Sequence, residues 1–269
     1  MALNRISGAF SRARQEGRIA LMPFMTAGYP DVPTSVNLIR AMVDAGADGI
    51  ELGVPFSDPL ADGPTIQKAS YRALQGGTTP ADAIDIVAAL RWSGVGVPIL
   101  LMGYCNSFLA KGEEQYLTDA AAAGADGFII VDLPPEESDG TLATCRKLGL
   151  NLIYLLAPTS DGGRIEQVLG RAAGFIYCVS LVGVTGARAR LSAELPDFLR
   201  RLRPKTDLPL AAGFGISKRE HVEALRGLAD AAIVASAIID LVESSPREEC
   251  VERVRNYVEV LTGRVEDMA

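Results

Sequence analysis

Residues 45–50 read Ala-Gly-Ala-Asp-Gly-Ile, and residues 123–128 read Ala-Gly-Ala-Asp-Gly-Phe. In each copy the glycines end a helical stretch, and the apolar residues that follow begin a short buried strand. Residues 229–233, Ala-Asp-Ala-Ala-Ile, form a weaker third copy. A helix-to-strand junction that recurs along a chain indicates repeated strand–helix units.

The same alternation extends over the whole chain. Eight segments have strand character, and each precedes a helical stretch: 19–28, 49–53, 98–103, 127–132, 151–156, 175–179, 208–213 and 231–235. Parallel strands joined by right-handed crossovers close most naturally into a (β/α)8 TIM barrel. A doubly wound open sheet is the alternative, but residues 25–30 lack the G-x-G-x-x-G spacing that would favour it.

Two further features complete the predicted fold. Residues 4–17 place Ile6, Phe10 and Ala13 among polar residues, which predicts an extra N-terminal helix that covers one end of the barrel. No linker or shift in composition interrupts the sequence, so we expect residues 1–269 to form a single α/β domain.

Charge and cysteine usage narrow the class of protein. The net charge of −7 argues against nucleic acid or an anionic membrane as the main partner, because both select basic surfaces. The four cysteines are scattered without a C-x-x-C pair, and we find no signal peptide or long apolar run. These features favour a cytoplasmic enzyme.

Residues 51–64, Glu-Leu-Gly-Val-Pro-Phe-Ser-Asp-Pro-Leu-Ala-Asp-Gly-Pro, place two carboxylates around a stiff loop at the end of a predicted strand. Barrel enzymes build their active sites at such strand ends. Burial of Glu51 in the strand would raise its pKa toward the range of a general acid/base. The alternative is a structural carboxylate that holds the next loop, but the second carboxylate, Asp62, favours catalysis.

The last three loops carry glycines and hydroxyls but few charges: Gly183-Val-Thr-Gly186, Ala212-Gly-Phe-Gly-Ile-Ser217 and Ala235-Ser236. Backbone N–H groups at helix starts can hold a phosphate, and such sites recur after strands seven and eight of barrels. Ser217 has capping-box spacing to Glu220, so a helix cap is the alternative for that residue.

The residue types that are scarce limit the chemistry. The lone histidine, His221, falls on a helix, and none of the five lysines falls in a predicted strand, so we expect neither a histidine base nor a Schiff-base lysine. We also expect no metal. Tyr104 and Tyr177 are candidate helpers, with core packing as the alternative. The residues alone predict a barrel enzyme that cleaves or isomerises a phosphorylated small molecule without a cofactor.

The 51–64 stretch also resembles the signature of the tryptophan synthase alpha subunit family. Further segments agree in order and spacing: Pro23-Phe-Met-Thr-Ala-Gly-Tyr-Pro30, Tyr104-Cys-Asn106, Val131-Asp-Leu-Pro134, Gly183-Val-Thr-Gly-Ala187 and Gly213-Phe-Gly-Ile-Ser217. The resemblance implies a lyase that cleaves indole-3-glycerol phosphate into indole and glyceraldehyde 3-phosphate. It gives Glu51 the role of proton shuttle, Asp62 that of acceptor for the indole N–H, and Tyr177 that of helper.

The resemblance also implies residues for binding the substrate. The indole slot is assigned to Phe24, Ile66, Met102, Tyr104 and Ile129, for each of which simple barrel core is the alternative. Thr185 helps the sixth loop to close and orients Asp62. The phosphate is assigned to Gly186, Gly215 and Ser236, and Gly213 and Ala235 are further substrate-binding residues. The chain departs from the family pattern in Ala235, where Gly is common, and in Leu181-Val182. These departures bear on phosphate affinity and loop closure.

A partner follows from the same resemblance. Alpha subunits work beside a beta subunit that carries pyridoxal phosphate, in an α2β2 heterotetramer, and residues 55–60 and 106–111 would face it. Rigid lids are the alternative for these loops. A free-standing lyase and an inert activator of the partner remain alternatives, although intact Glu51 and Asp62 oppose the second.

Overall fold

The computed structural model describes residues 4–109, 112–179, 194–213 and 215–265. Eight strands lie in this part of the chain: β1 Ala20–Thr26, β2 Ile50–Gly53, β3 Ile99–Gly103, β4 Gly127–Ile130, β5 Asn151–Leu156, β6 Ile176–Val179, β7 Leu210–Gly213 and β8 Ala231–Val234. Each strand pairs in parallel with its neighbours, and β8 pairs with β1, so the sheet is a closed barrel. The predicted TIM barrel is confirmed.

Helices surround the strands. Those in the described residues are α1 Arg5–Gln15, α2 Val32–Asp44, α3 Pro64–Gln75, α4 Pro80–Trp92, α5 Cys105–Leu109, α6 Glu113–Ala123, α7 Asp139–Leu148, α8 Gly162–Leu169, α9 Leu195–Leu202, α10 Arg219–Glu223, α11 Ser236–Ser244 and α12 Cys250–Thr262. An outer core fills the space between helices and strands, and an inner core fills the barrel. None of the described helices is long and apolar enough to cross a membrane.

The N-terminal helix covers one end of the barrel, as the sequence predicts, and the structure places it at the end opposite the strand C-termini. The side chain of Asn4 caps α1 by accepting the Ser7 N–H at 2.9 Å. Ile6, Phe10 and Ala13 are buried in the inner core, where the ring of Phe10 packs 5.6 Å from that of Phe175. These apolar side chains exclude water from the barrel at the N-terminal ends of the strands.

The repeated Ala-Asp junctions have a common structural role. The aspartate before each of β2, β4 and β8 accepts a backbone N–H at or next to the start of the preceding strand, in the pairs Asp48 with Leu21 at 2.9 Å, Asp126 with Ile99 at 2.8 Å and Asp230 with Leu210 at 2.9 Å. Each aspartate also pairs with an arginine, in the order Arg18, Arg91 and Arg203. The carboxylates therefore fix the offset between neighbouring strands.

Strand β1 ends earlier than the predicted 19–28. A turn closes where the Tyr29 N–H donates to the Thr26 carbonyl at 3.2 Å, and Gly28 has a φ of +71°. A Cβ at Gly28 would also lie 2.1 Å from the Thr78 hydroxyl oxygen. The positive φ and the lack of space for a Cβ therefore require glycine at this turn.

Candidate active site

Glu51 lies within β2 and faces the barrel interior, in register with Phe24 of β1 and Leu100 of β3. Its side chain is completely buried, and Oε1 has no hydrogen-bond partner among the described residues. The hydroxyl of Tyr177 donates to Oε2 at 3.5 Å. Burial raises the pKa of Glu51 to about 8, and the Tyr177 hydrogen bond opposes that rise.

Gly53, two positions after Glu51, leaves room for the ring of Phe24. A Cβ at Gly53 would lie 2.4 Å from the ring of Phe24. The ring therefore occupies the space that a side chain at position 53 would need. The position of the Phe24 ring explains why β2, the apolar strand that contains Glu51, ends in glycine.

Asp62 belongs to the loop between β2 and α3 and is partly exposed. The hydroxyl of Tyr104 donates to Asp62 Oδ2 at 3.1 Å and accepts the Ala61 N–H at 3.0 Å. The ring of Tyr104 stacks on Phe56 with centroids 5.1 Å apart. Burial raises the pKa of Asp62 to about 6, against the effect of the Tyr104 hydrogen bond. The sequence predicted Tyr104 only as a helper or slot residue, so its bond to Asp62 is new.

Tyr177 lies in β6, and its ring packs against the backbone of Gly213. A Cβ at position 213 would lie 2.9 Å from both Cε1 and the hydroxyl oxygen of Tyr177. Burial, and then the charges of Glu51 and Asp62, hold the pKa of Tyr177 well above its usual value. The phenol therefore keeps its proton and can donate it in a hydrogen bond to Glu51.

Two adjoining cavities open at this end of the barrel. The larger, of about 640 Å³, is lined by Asp62, Met102, Tyr177 and Gly213 together with residues that follow β4 and β5. The smaller, of about 20 Å³, is lined by four of the five predicted slot residues, Phe24, Ile66, Met102 and Tyr104, and by Asp62. The fifth, Ile129, is fully buried in the inner core.

The predicted phosphate end is described only in part. Tyr177, Gly213, Gly215, Ala235 and Ser236 line one cavity of about 60 Å³. Ser236 is the first residue of α11, so free backbone N–H groups of that helix face this region. The remaining predicted residues, Thr185 and Gly186, lie outside the described residues, as do Leu181 and Val182.

Ser217 and His221 lie close together after the seventh strand. The capping alternative for Ser217 is wrong, because α10 begins at Arg219 after Lys218, which makes no side-chain cap. The Ser217 N–H instead donates to Nδ1 of His221 at 3.2 Å. His221 is buried and lies on α10, which agrees with its predicted place on a helix. In the described ranges no group of three or more His, Cys, Asp or Glu side chains could hold a metal ion.

A closed parallel barrel with two carboxylates gathered at the C-terminal ends of its strands has the arrangement of a barrel enzyme. Comparison with known proteins identifies the family. The family model described as "Tryptophan synthase alpha chain" matches residues 10–268. The chain is 52% identical over 261 residues to the tryptophan synthase alpha chain of Roseiflexus castenholzii, covering 97% of this chain and 100% of that protein.

Solved structures agree with the sequence comparison. The alpha subunit of tryptophan synthase from Legionella pneumophila str. Paris superposes with a TM-score of 0.90 at 34% identity, covering 99% of this chain and 100% of that one. A chain of Mycobacterium tuberculosis tryptophan synthase gives 0.89 at 36% identity, with 97% of each chain covered. The chain belongs to the tryptophan synthase alpha chain family. It is a lyase that acts on indole-3-glycerol phosphate in tryptophan biosynthesis.

Proposed function

We propose that Glu51 and Asp62 cleave indole-3-glycerol phosphate into indole and glyceraldehyde 3-phosphate by general acid/base chemistry. Three events are needed: indole C3 gains a proton, the glycerol hydroxyl next to C3 loses one, and positive charge forms at the ring nitrogen. Glu51 carries out both proton transfers, first as acid and then as base. Asp62 accepts the indole N–H and stabilises the charge.

The observation that carries this proposal is the complete burial of Glu51, with its raised pKa, at the barrel mouth. A pKa of about 8 leaves the carboxyl group protonated near neutral pH, ready to donate to carbon. Tyr177 helps by donating to Oε2, so that the carboxyl group keeps one orientation. After C3 is protonated, the resulting carboxylate takes the hydroxyl proton as the carbon–carbon bond breaks.

Asp62 suits its proposed role because its pKa of about 6 lies below that of Glu51. Near neutral pH it is therefore ionised while Glu51 is protonated. Two carboxyl groups whose environments separate their pKa values can perform different tasks in one site. The negative charge on Asp62 then lies where the ring nitrogen becomes positive.

The two ends of the substrate bind in different parts of the site. The indole ring enters the slot of Phe24, Ile66, Met102 and Tyr104, with Ile129 beneath it. The phosphate binds at the far end of the mouth, at Gly186, Gly213, Gly215, Ala235 and Ser236, and Thr185 helps to close the sixth loop. The cavity that joins Tyr177 to Gly215 and Ser236 supports this direction for the glycerol phosphate chain.

We also propose a beta subunit as partner, in an α2β2 assembly that receives the indole. Leu60 and Leu109, in the two loops assigned to the interface, expose 89% and 54% of their surface, which supports docking there. Pyridoxal phosphate belongs to the partner, and no cofactor is proposed for this chain. The described cysteines are free thiols, which agrees with the proposed cytoplasmic setting.

The test is steady-state indole formation by Glu51→Gln and Asp62→Asn, with and without a beta subunit. Both variants keep the side-chain shape but lose the charge or the transferable proton. We expect Glu51→Gln to lose indole formation while circular dichroism and binding of the beta subunit stay as in the wild type. Full activity of Glu51→Gln would overturn the proposal. Fast indole release by the wild-type chain alone would instead support the free-standing lyase.

A further inference from the structure

His221 and Tyr257 both bind the backbone of Ser217, a residue of the loop between β7 and α10. The Ser217 N–H donates to Nδ1 of His221 at 3.2 Å, and the Tyr257 hydroxyl donates to the Ser217 carbonyl at 2.7 Å. His221 is buried on α10, and Tyr257 is partly buried on α12. The proposed mechanism uses neither residue, although His221 is the only histidine of the chain.

The two helices that carry these side chains are tied to each other. The guanidinium group of Arg219, on α10, donates to the Leu261 carbonyl of α12 at 2.6 Å. Nδ1 of His221 accepts a hydrogen bond, which a ring nitrogen does only when it carries no proton. Burial raises the pKa of Tyr257 above its usual value, so the phenol stays a donor. One acceptor and one donor thus match the N–H and the carbonyl of Ser217.

The two residues before Ser217 belong to the proposed phosphate end of the site. Gly215 and Ile216 line the cavity of about 60 Å³, together with Ala235 and Ser236. No lysine or arginine is among the described residues that line this cavity. A phosphate bound there depends on backbone N–H groups, which have to be held in place to act together. The placement of the loop after β7 therefore affects how tightly the phosphate binds.

We propose that His221 and Tyr257 are positioning residues for the phosphate of the substrate, because together they fix the backbone of Ser217. Gly215 and Ile216 then keep their place at the wall of the phosphate cavity. Neither His221 nor Tyr257 is among the described residues that line this cavity, so each acts through the loop. The effect falls on substrate binding rather than on proton transfer. The inference rests on the proposed function, in which the phosphate binds at this loop.

Three variants separate the two hydrogen bonds. Tyr257→Phe removes one of them and keeps the ring, and His221→Leu removes the other. His221→Asn is the conservative variant, since asparagine Oδ1 is bonded to Cγ, as Nδ1 is in histidine, and can accept the Ser217 N–H. Tyr71→Phe is the matched control, because Tyr71 is 60% exposed on α3 and its hydroxyl accepts from Gln75 of the same helix.

The measurements are kcat and KM for indole formation in the presence of a beta subunit. A second measurement is the inhibition constant of glycerol 3-phosphate, a probe that has a phosphate but no indole. We expect Tyr257→Phe and His221→Leu each to raise KM and this inhibition constant by about three- to tenfold, as for one lost hydrogen bond. The change in kcat should be less than about twofold, since binding alone is weakened. His221→Asn and Tyr71→Phe should stay near the wild type.

A purely structural role for the two residues predicts a different pattern. It would lower the free energy of unfolding and leave the inhibition constant of glycerol 3-phosphate unchanged. Wild-type values of KM and of this inhibition constant in Tyr257→Phe would overturn the inference. Tyr257→Phe still decides if His221→Leu does not fold.

Ala235→Leu distinguishes failure of the inference from failure of the proposed function. The larger side chain occupies space in the cavity assigned to the phosphate. If Ala235→Leu weakens inhibition by glycerol 3-phosphate while Tyr257→Phe and His221→Leu do not, only the inference fails. If Ala235→Leu binds the substrate and glycerol 3-phosphate like the wild type, the proposed phosphate site is wrong, and the inference is overturned with it.

Discussion

The hydroxyl of Tyr104 donates to Oδ2 of Asp62 at 3.1 Å and accepts the N–H of Ala61 at 3.0 Å. One phenol thus holds both the carboxylate and the backbone just before it. The ring itself is fixed by its stack on Phe56. Asp62, the loop residue proposed to bind the indole N–H, is in this way tied to Tyr104, which directly follows β3.

Tyr104→Phe removes this donor and keeps the stack. We expect the pKa of Asp62 to rise above its value of about 6. A rise of about one unit lowers the ionised fraction at pH 6, and with it kcat/KM, by about fivefold, because a protonated Asp62 accepts the indole N–H poorly. The measurement is kcat/KM for indole formation as a function of pH below neutrality. Tyr71→Phe is the control, since Tyr71 is 60% exposed on α3. Equal activity of Tyr104→Phe and wild type would show that the hydrogen bond is unimportant.

Gly213→Ala should disturb Tyr177. The added methyl group would lie 2.9 Å from the ring, so the ring has to move away from Glu51 or the backbone has to shift. We expect a loss of about 1–3 kcal/mol in the free energy of unfolding, as for an overpacked core, and a lower kcat.

Gly140→Ala is the matched control, because a Cβ there meets nothing within 4 Å and the residue lies in α7. It should be neutral or slightly stabilising by about 0.5–1 kcal/mol. Urea unfolding and indole formation measure both variants. If Gly213→Ala and Gly140→Ala have the same stability and the same activity, the contact between Gly213 and Tyr177 does not determine where the Tyr177 ring lies.

The raised pKa of Glu51 predicts how stability depends on pH. A folded-state value of about 8, above the ordinary 4.5, means that the folded protein binds a proton that the unfolded chain releases between these values. The contribution is fully present below pH 4.5 and is lost as the pH rises to about 8.

Glu51→Gln lacks this titration. We therefore expect the variant and the wild type to unfold with similar free energies near pH 4.5, and the variant to be more stable near pH 8 by on the order of a few kcal/mol. Urea denaturation at both pH values measures the difference. An equal difference at the two values would mean that Glu51 ionises normally in the folded protein.

Asp48→Ala tests the repeated strand anchor. The buried carboxylate binds the Leu21 N–H and both terminal nitrogens of Arg18, and its removal leaves these donors without their partner. We expect a loss of about 3–5 kcal/mol in the free energy of unfolding. Asp197→Ala removes an exposed carboxylate paired with Arg200 and should change stability by less than about 1 kcal/mol. Comparable losses in both variants would contradict the anchoring role.

The fold was largely predictable because its signals are local. The glycines at positions 46, 49 and 124 mark where helices give way to strands, and the apolar runs after them are long enough to identify β2 and β4. The ends of strands were less predictable. The turn that closes after Thr26 depends on a contact between Gly28 and Thr78, which are far apart in sequence.

The site was predictable where chemistry is unusual for its surroundings, as with a carboxylate inside the apolar strand that holds Glu51. The hydrogen-bond partner of the second carboxylate, Asp62, was not predictable. The hydrogen bond between Tyr104 and Asp62 joins residues that are 42 positions apart in the sequence. The shared role of the aspartates before β2, β4 and β8 was likewise visible only once the neighbouring strands lay beside them.

The most direct test of the central claim, that buried Glu51 gives its proton to indole C3, is the alkaline side of the pH dependence of kcat/KM. The account predicts that activity falls tenfold per pH unit above about 8, where Glu51 loses its proton, and that Asp62→Asn retains this limb in its residual activity. Samples returned to neutral pH should recover fully, which separates titration from unfolding. Constant activity of the wild type from pH 7 to well above 9 would contradict the account.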